Sequence, residues 1–472
     1  MSKTEPENSK EETKEEKKEE IKEEKKEEQK TTEGEEKKEE PKEEYNEEIP
    51  IKSKIDEKLG IKNMVEDSFL LSTKTTWDDL GIKPEIKKGL LEMNFVTPSK
   101  IQSTTYPLIM KEPRLNVVAQ AKNGSGKTAS FGLGLISSIN ENSKNVQAVV
   151  FAHTRELVNQ IEDVLQKMAK YTKIKVTAML SGEGEDPSEI GQIIVITPGH
   201  FDSLVLKRKK IDLTDLKMMV LDEADYMLTN EVTSKVIEKC FKLFQKNKYQ
   251  VQILFFSATY DTRCYKFIKK FYNNAYMIEL KKEELTLDNV TQMYELCKTP
   301  DDKVSFVEDY LKISEGSQRV IIFANKRDYV VKLQQNLLKR GHKVYILMGG
   351  DMALSNRDET IKKFKNGEIQ ILITTDLLAR GYDERTVKLV INFDLPVKKK
   401  DGNTEPDFET YLHRIGRTGR FGSKGIGINL CCGERDKKIL EMIEKYYKTK
   451  IEKMKSFDQL IEDLKNVCLE DN

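Results

Sequence analysis

The chain has 472 residues with 80 basic and 80 acidic side chains, six cysteines, four histidines and one tryptophan. The cysteines (Cys240, Cys264, Cys297, Cys431, Cys432, Cys468) show no C-x-x-C spacing and the histidines are scattered, which argues against a metal site or a disulfide framework and points to a reducing compartment. No apolar run approaches the ~20 residues of a membrane-spanning helix, and the Glu/Lys-rich start is unlike a signal peptide, so a soluble intracellular protein without a membrane partner is expected.

The zero net charge conceals a division. Residues 1–50 hold 12 Lys and 21 Glu with no Arg or Asp, a net of −9, and the remainder carries +9. Such a run has almost no apolar surface to offset chain entropy, so 1–50 are expected to form a disordered, solvated acidic tail. Competition for the basic body is its functional alternative. Over 51–76 the charge thins and Met64, Phe69, Leu70 and Leu71 appear at helical spacing, as expected of an N-terminal regulatory segment.

From Trp77 the chain alternates helical patterns with short apolar strands, predicted over 116–120, 147–152, 192–196, 217–221 and 252–256. Strands that are apolar throughout and separated by helices predict a parallel sheet covered on both faces. The polar stretch 281–303 reads as a linker, after which strands are expected over 319–324, 343–347, 370–374, 388–393 and 425–430. The fold class is α/β, with one domain over 77–280 and a second over 304–472 that ends in a helical stretch, 434–468, basic on one side.

The predicted strand at 116–120 runs into Ala121-Lys122-Asn123-Gly124-Ser125-Gly126-Lys127-Thr128. Gly124 and Gly126 leave backbone N–H groups free to cradle phosphate oxygens at a helix N-terminus, where the dipole favours negative charge. Lys127 would neutralise the outer phosphates and the Thr128 hydroxyl would hold Mg2+. Ala121 stands where such loops usually begin with Gly, and an ordinary glycine-rich turn is the alternative. The strand at 217–221 ends in Asp222-Glu223-Ala224-Asp225, acids at the carboxyl end of a parallel strand, where such sheets bind ligands. Asp222 would hold Mg2+ through water and Glu223 would polarise the attacking water. Alone, such a cluster would equally be a helix cap.

These motifs resemble the DEAD-box RNA-dependent ATPases of helicase superfamily 2, and the resemblance runs from Trp77 to about Tyr446. It implies two tandem RecA-like domains with parallel sheets, ATP and Mg2+ as cofactors, and single-stranded RNA as partner. The segment from Asn94 to Gln102 resembles the adenine-reading segment, with Gln102 on the base edge. Trp77 stands 17 residues before Asn94, where the family has an aromatic that stacks on the base; a core anchor is the alternative. Ser257-Ala258-Thr259 resembles the motif that links the acids to domain motion. Asp383 is implied at the ribose, and Arg417 and Arg420 as arginine fingers that reach the γ-phosphate only on closure, with His413 as an interdomain hydrogen-bonding group.

RNA contacts implied by the resemblance go mainly to sugar and phosphate and fall on Thr154, Arg155, Gly182, Thr197, Pro198, Gly199, Arg357, Thr375 and Arg380. On that face His153 replaces the usual Pro, Ser181 a Gly, and His200 an Arg or Asp. Lys111 to Asn116 and the excursion from Lys398 to Phe408 resemble the mRNA-export subfamily. That implies messenger ribonucleoprotein as substrate, an export activator acting with inositol hexakisphosphate, a nuclear-pore filament protein, and a monomer in cytoplasm and nucleus at the cytoplasmic face of the pore. A general helicase of translation or ribosome assembly, and a low-turnover ATP-gated RNA clamp, are the alternatives.

Overall fold

The computed structural model describes residues 75–469 apart from 123, 183–186, 188, 273, 279–288, 315–317, 351, 381–383, 385, 401–402 and 420–422. The acidic tail, nearly all of 51–76, and Asn123, Asp383 and Arg420 lie outside the described residues. Thr76 lies within them and belongs to the first half, where its N–H and hydroxyl both donate to Asp79.

The first half is an all-parallel sheet of β1 (Asn116–Gln120), β2 (Ala148–Phe151), β3 (Val176–Met179), β4 (Ile193–Ile196), β5 (Met218–Asp222), β6 (Gln252–Ser257) and β7 (Ala275–Ile278), in the order β3-β4-β2-β5-β6-β1-β7. Helices cover both faces, which is why β2, β4, β5 and β6 are buried at every position and read in the sequence as unbroken apolar runs. Phe131, Leu133 and Leu165 pack one face, and Phe201, Met227 and Phe241 the other. Each such side chain contributes about 1.5–3 kcal/mol on burial. The order has a consequence for the site: β1 and β5 flank β6, so the loops leaving their carboxyl ends lie side by side.

The second half repeats the plan with β8 (Val290–Cys297), β9 (Arg319–Phe323), β10 (Tyr345–Leu347), β11 (Ile371–Thr374), β12 (Val387–Asn392), β15 (Gly425–Cys432) and β16 (Glu452–Lys453), again all parallel, in the order β10-β11-β9-β12-β15-β8-β16. Between β12 and β15 the excursion forms an antiparallel hairpin, β13 (Val397–Lys400) with β14 (Asn403–Pro406), in which Lys398 faces Glu405.

The expected linker over 281–303 is corrected in its second part. Val290–Cys297 is β8, paired with β15 along its whole length, and helix Pro300–Ser314 follows at once. β8 has only the two-residue β16 on its outer side, so Thr291 stays exposed and Glu295 half-buried, and the strand reads as polar. The stretch expected as one helical region from 434 is two helices, Gly433–Tyr447 and Phe457–Leu469, with β16 between them. Among the described residues no helix is long and apolar enough to cross a membrane.

Candidate functional site

The loop after β1 turns into helix Lys127–Ser138 through two left-handed glycines, Gly124 at φ 73° and Gly126 at φ 94°. At φ 94° any L side chain on Gly126 would be strained, and its Cβ would stand 2.5 Å from Gln102 Nε2, which would have to move aside. Gln102 caps its own helix by accepting from Ser99 N at 2.8 Å, and its amide reaches the Gly126 carbonyl at 3.4 Å. The adenine-reading segment and the glycine-rich loop are thereby tied together. Ser125 N donates to Lys122 O at 3.3 Å and Ala121 N to Ser257 O at 3.0 Å, which anchors the loop to the end of β6. Thr128, in the first turn of the helix, is half-buried.

Lys127 is buried, donating to Ala121 O at 3.2 Å with Nζ 3.9 Å from Glu223 Oε1. Glu223 adopts φ 54°, ψ 50°, a left-handed conformation that costs a non-glycine residue on the order of 1–3 kcal/mol. It turns β5 sharply into helix Ala224–Thr229 and aims the carboxylate at Lys127. Burial and then the Glu223 charge push Asp222 up to about 7. Burial opposes ionisation of Glu223 as well, but the cations around it, Lys127 first, outweigh that and hold it at about 2. One acid is therefore under-compensated beside one that stays ionised, and the pair has room for a further cation.

The halves meet at Asp225. Its Oδ2 accepts from Thr259 Oγ1 at 2.7 Å, within the first half, and from Arg380 Nη1 at 2.5 Å, from the second. Arg380 Nη1 also lies 3.1 Å from His413 Nε2, and since guanidinium only donates, that nitrogen accepts and the ring is neutral. Burial and Arg380 lower the His413 pKa in agreement. Its approaches to Asp225 at 3.6 Å and Glu223 at 3.8 Å are accordingly not ion pairs. Glu223, Asp225 and His413 could ligate a metal by position alone, but Arg380 already supplies the cation there. Ser257 is fully buried and its Oγ accepts from Thr259 N at 3.3 Å. Arg417 is buried with Nε on the His413 carbonyl at 2.9 Å.

Trp77 is corrected. The ring is 2 % exposed, its indole N–H donates to Phe95 O at 2.9 Å, and it belongs to the core beneath the first sheet, so it has no face left for a base. Phe95, in the same segment, is half-buried and packs against that core.

Three of the arginines assigned to RNA are engaged elsewhere. Arg155 bonds Asp358 across the seam at 3.0 Å and Ser181 O at 3.3 Å, Arg357 pairs with Glu156 in the opposite direction, and Arg380 holds Asp225. They brace the closed halves. Gly182, at φ 84°, lies against Leu354 of the other half. Thr154 caps helix Arg155–Ala169 by accepting from Leu157 N, Thr197 and Pro198 open helix Pro198–Phe201, and Gly199 has open space around it. Thr375 and His200 are half-buried.

Fold and site together define a nucleotide hydrolase of two parallel-sheet halves whose cleft is completed from both sides. The chain belongs to the DEAD/DEAH box helicase family: that family's model matches residues 99–267, and the helicase conserved C-terminal domain matches 302–422. It is an RNA-dependent ATPase. It is similar to DEAD-box ATP-dependent RNA helicase 38 of Oryza sativa, 37 % identical over 410 residues, covering 84 % of this chain and 80 % of that one. It is also similar to Saccharomyces cerevisiae Dbp5 bound to RNA and ADP BeF3, at 36 % identity and TM-score 0.77, covering 83 % of this chain and 99 % of that one. With a variant of the same yeast protein bound to Nup159, Gle1, IP6 and ADP the TM-score is 0.57 at 33 % identity, covering 82 % and 100 %.

Proposed function

We propose that this chain remodels ribonucleoprotein in mRNA export, clamping single-stranded RNA as ATP draws the halves together and releasing it after hydrolysis. The observation that carries the reading is the seating of Arg380 and His413, from the second half, on Asp225 and beside Glu223 of the first. An ATPase that is complete only when two halves meet is off until something brings them together. Backbone N–H groups from Gly124 to Thr128 and the Lys127 ammonium hold the phosphates, and Gln102 reads adenine. Asp383 contacts the ribose. Glu223, ionised at neutral pH, orients and polarises the attacking water; Arg417 and Arg420 stabilise the charge that builds on the γ-phosphate.

A magnesium ion fits the donor set, because Asp222 is a buried carboxylate that a divalent cation would keep ionised and Thr128 adds a hydroxyl. Bound there, it would neutralise β- and γ-phosphate charge. Thr154, Gly182, Thr197, Pro198, Gly199 and Thr375 line the RNA path. Arg155, Arg357 and Arg380 act there by holding the halves in the RNA-gripping arrangement. The export assignment draws on the likeness to Dbp5. A Gle1-type activator with inositol hexakisphosphate and a Nup159-type pore protein follow as partners, and the cytoplasmic face of the nuclear pore as the place of action for a monomeric enzyme.

The test is Glu223→Gln. RNA-stimulated phosphate release should fall at least a hundredfold while ATP-dependent RNA retention lengthens. A Glu223→Gln protein that hydrolyses ATP at the normal rate refutes the site, and wild-type protein that ignores a Gle1-type activator with inositol hexakisphosphate refutes the export assignment.

A further inference from the structure

We infer that His153 is a positioning residue for closure: its ring props Tyr226 as the aromatic face on which Arg380 comes to rest against Asp225. His153 lies two residues past the end of β2, and its ring centroid is 4.9 Å from that of Tyr226 at an interplanar angle of 49°. On Tyr226 the Arg380 guanidinium sits with Cζ 5.4 Å from the ring centroid, inside the range at which a cation is attracted to a π face. The order is therefore imidazole, phenol, guanidinium, carboxylate. Two contacts of the first half meet one arginine of the second.

The chemistry of each ring suits the task. Burial and then the positive charge of Arg380 pull the His153 pKa down to about 4, so at neutral pH the imidazole brings no second cation to the stack. The side chain is half-buried, its Nδ1 is shut off from solvent with no hydrogen-bond partner among the described residues, and the ring contact to Tyr226 is what joins it to the seam. Arg380 is 8 % exposed by side chain, which strengthens an attraction that water would otherwise weaken.

The loop that carries His153 also carries the other side of the seam. Thr154 follows it as the helix cap, and Arg155 and Glu156 then reach Asp358 and Arg357 of the second half. Any ligand held at Thr154 thus touches a loop whose next residue toward the ATP side supports Arg380. Here the inference rests on the proposed RNA reading, and it deepens it by naming the route from that face to Asp225.

The experiment is steady-state ATPase of the full chain, with and without poly(U), for wild type, His153→Ala, Tyr226→Leu, the double variant, and the ring-preserving His153→Phe and Tyr226→Phe. Each ring deletion should lower kcat about three- to tenfold with KM for ATP unchanged within twofold. The double variant should be no worse than the poorer single one, because both act through one arginine. The Phe variants should recover most of the loss. Additive losses, a raised KM at unchanged kcat, or His153→Ala at wild-type kcat would each overturn the inference. Wild-type protein indifferent to poly(U) would instead fail the RNA reading. The variant-to-wild-type ratio without RNA still reads the stack in that case, since basal turnover also needs Arg380 on Asp225.

Discussion

Arg380→Ala removes the central tie between the halves and nothing that touches the glycine-rich loop. The Asp225 side chain is 0 % exposed and accepts from Arg380 at 2.5 Å, so the deletion strands a buried carboxylate. Breaking such a pair costs about 3–5 kcal/mol. The Thr259 hydroxyl still donates to Asp225 at 2.7 Å, which puts the loss near the lower end, about 3 kcal/mol or roughly 150-fold in the closing equilibrium. Because the tie exists only in the closed arrangement, that loss falls on closure and not on the stability of either half. The assay is kcat at saturating ATP and RNA together with thermal unfolding: kcat should drop by tens to roughly 150-fold while Tm moves little. Removing both charges, as Asp225→Asn with Arg380→Gln, should be less damaging than the sum of the two singles, since no unpaired charge remains. An Arg380→Ala enzyme within threefold of wild type, or one whose loss is matched by a collapse in Tm, would refute the closure account.

Three further outcomes are expected. Asp222 is raised from 3.8 to about 7, so the folded protein holds a proton that the unfolded chain has released, and stability without nucleotide should fall as pH rises from about 4 to about 7. Glu223, held at about 2, acts below that window and in the opposite sense, and Glu409, also pushed up to about 7, is common to both proteins when wild type is compared with Asp222→Asn. The difference in Tm between those two should therefore slope through pH 4–7, and a flat difference would contradict the assignment. Trp77→Phe, which loses the bond to Phe95 O, should cost about 2 kcal/mol of stability and leave KM for ATP within twofold; a raised KM would return the stacking role to the tryptophan. Gly182→Ala places a Cβ 2.9 Å from Leu354 Cδ1 at a position with φ 84°, and should slow kcat about threefold, with Leu354→Ala restoring part of it; no restoration would mean that backbone strain alone is responsible.

Much of this could be read along the chain, for identifiable reasons. The interior strands β2, β4, β5 and β6 are covered on both faces, and a strand buried twice reads as a near-continuous apolar run, with polar residues only at its ends (Asp222, Gln252, Ser257). The glycines at 124 and 126 and the acids after β5 stand out because short-range geometry demands those residue types. β3 and β7 were missed because they are four-residue strands at the sheet edges, and β8 because an outer strand alternates polar with apolar and resembles a loop.

What the sequence by itself determined was the chemistry available at each loop, since residue type and local spacing decide whether a loop can carry phosphate, a cation or a proton. Which groups face one another was decided only by the tertiary structure. Trp77 reads equally as base platform or core anchor until the strand and helix beneath it are in place, and burial then selects the core. Arg155, Arg357 and Arg380 read as phosphate ligands because a guanidinium suits any oxyanion. Their carboxylate partners Asp358, Glu156 and Asp225 lie 203, 201 and 155 residues away, a distance at which no local pattern can announce a pair. The closing of one half on the other, and hence the switch, is a property of those long-range contacts.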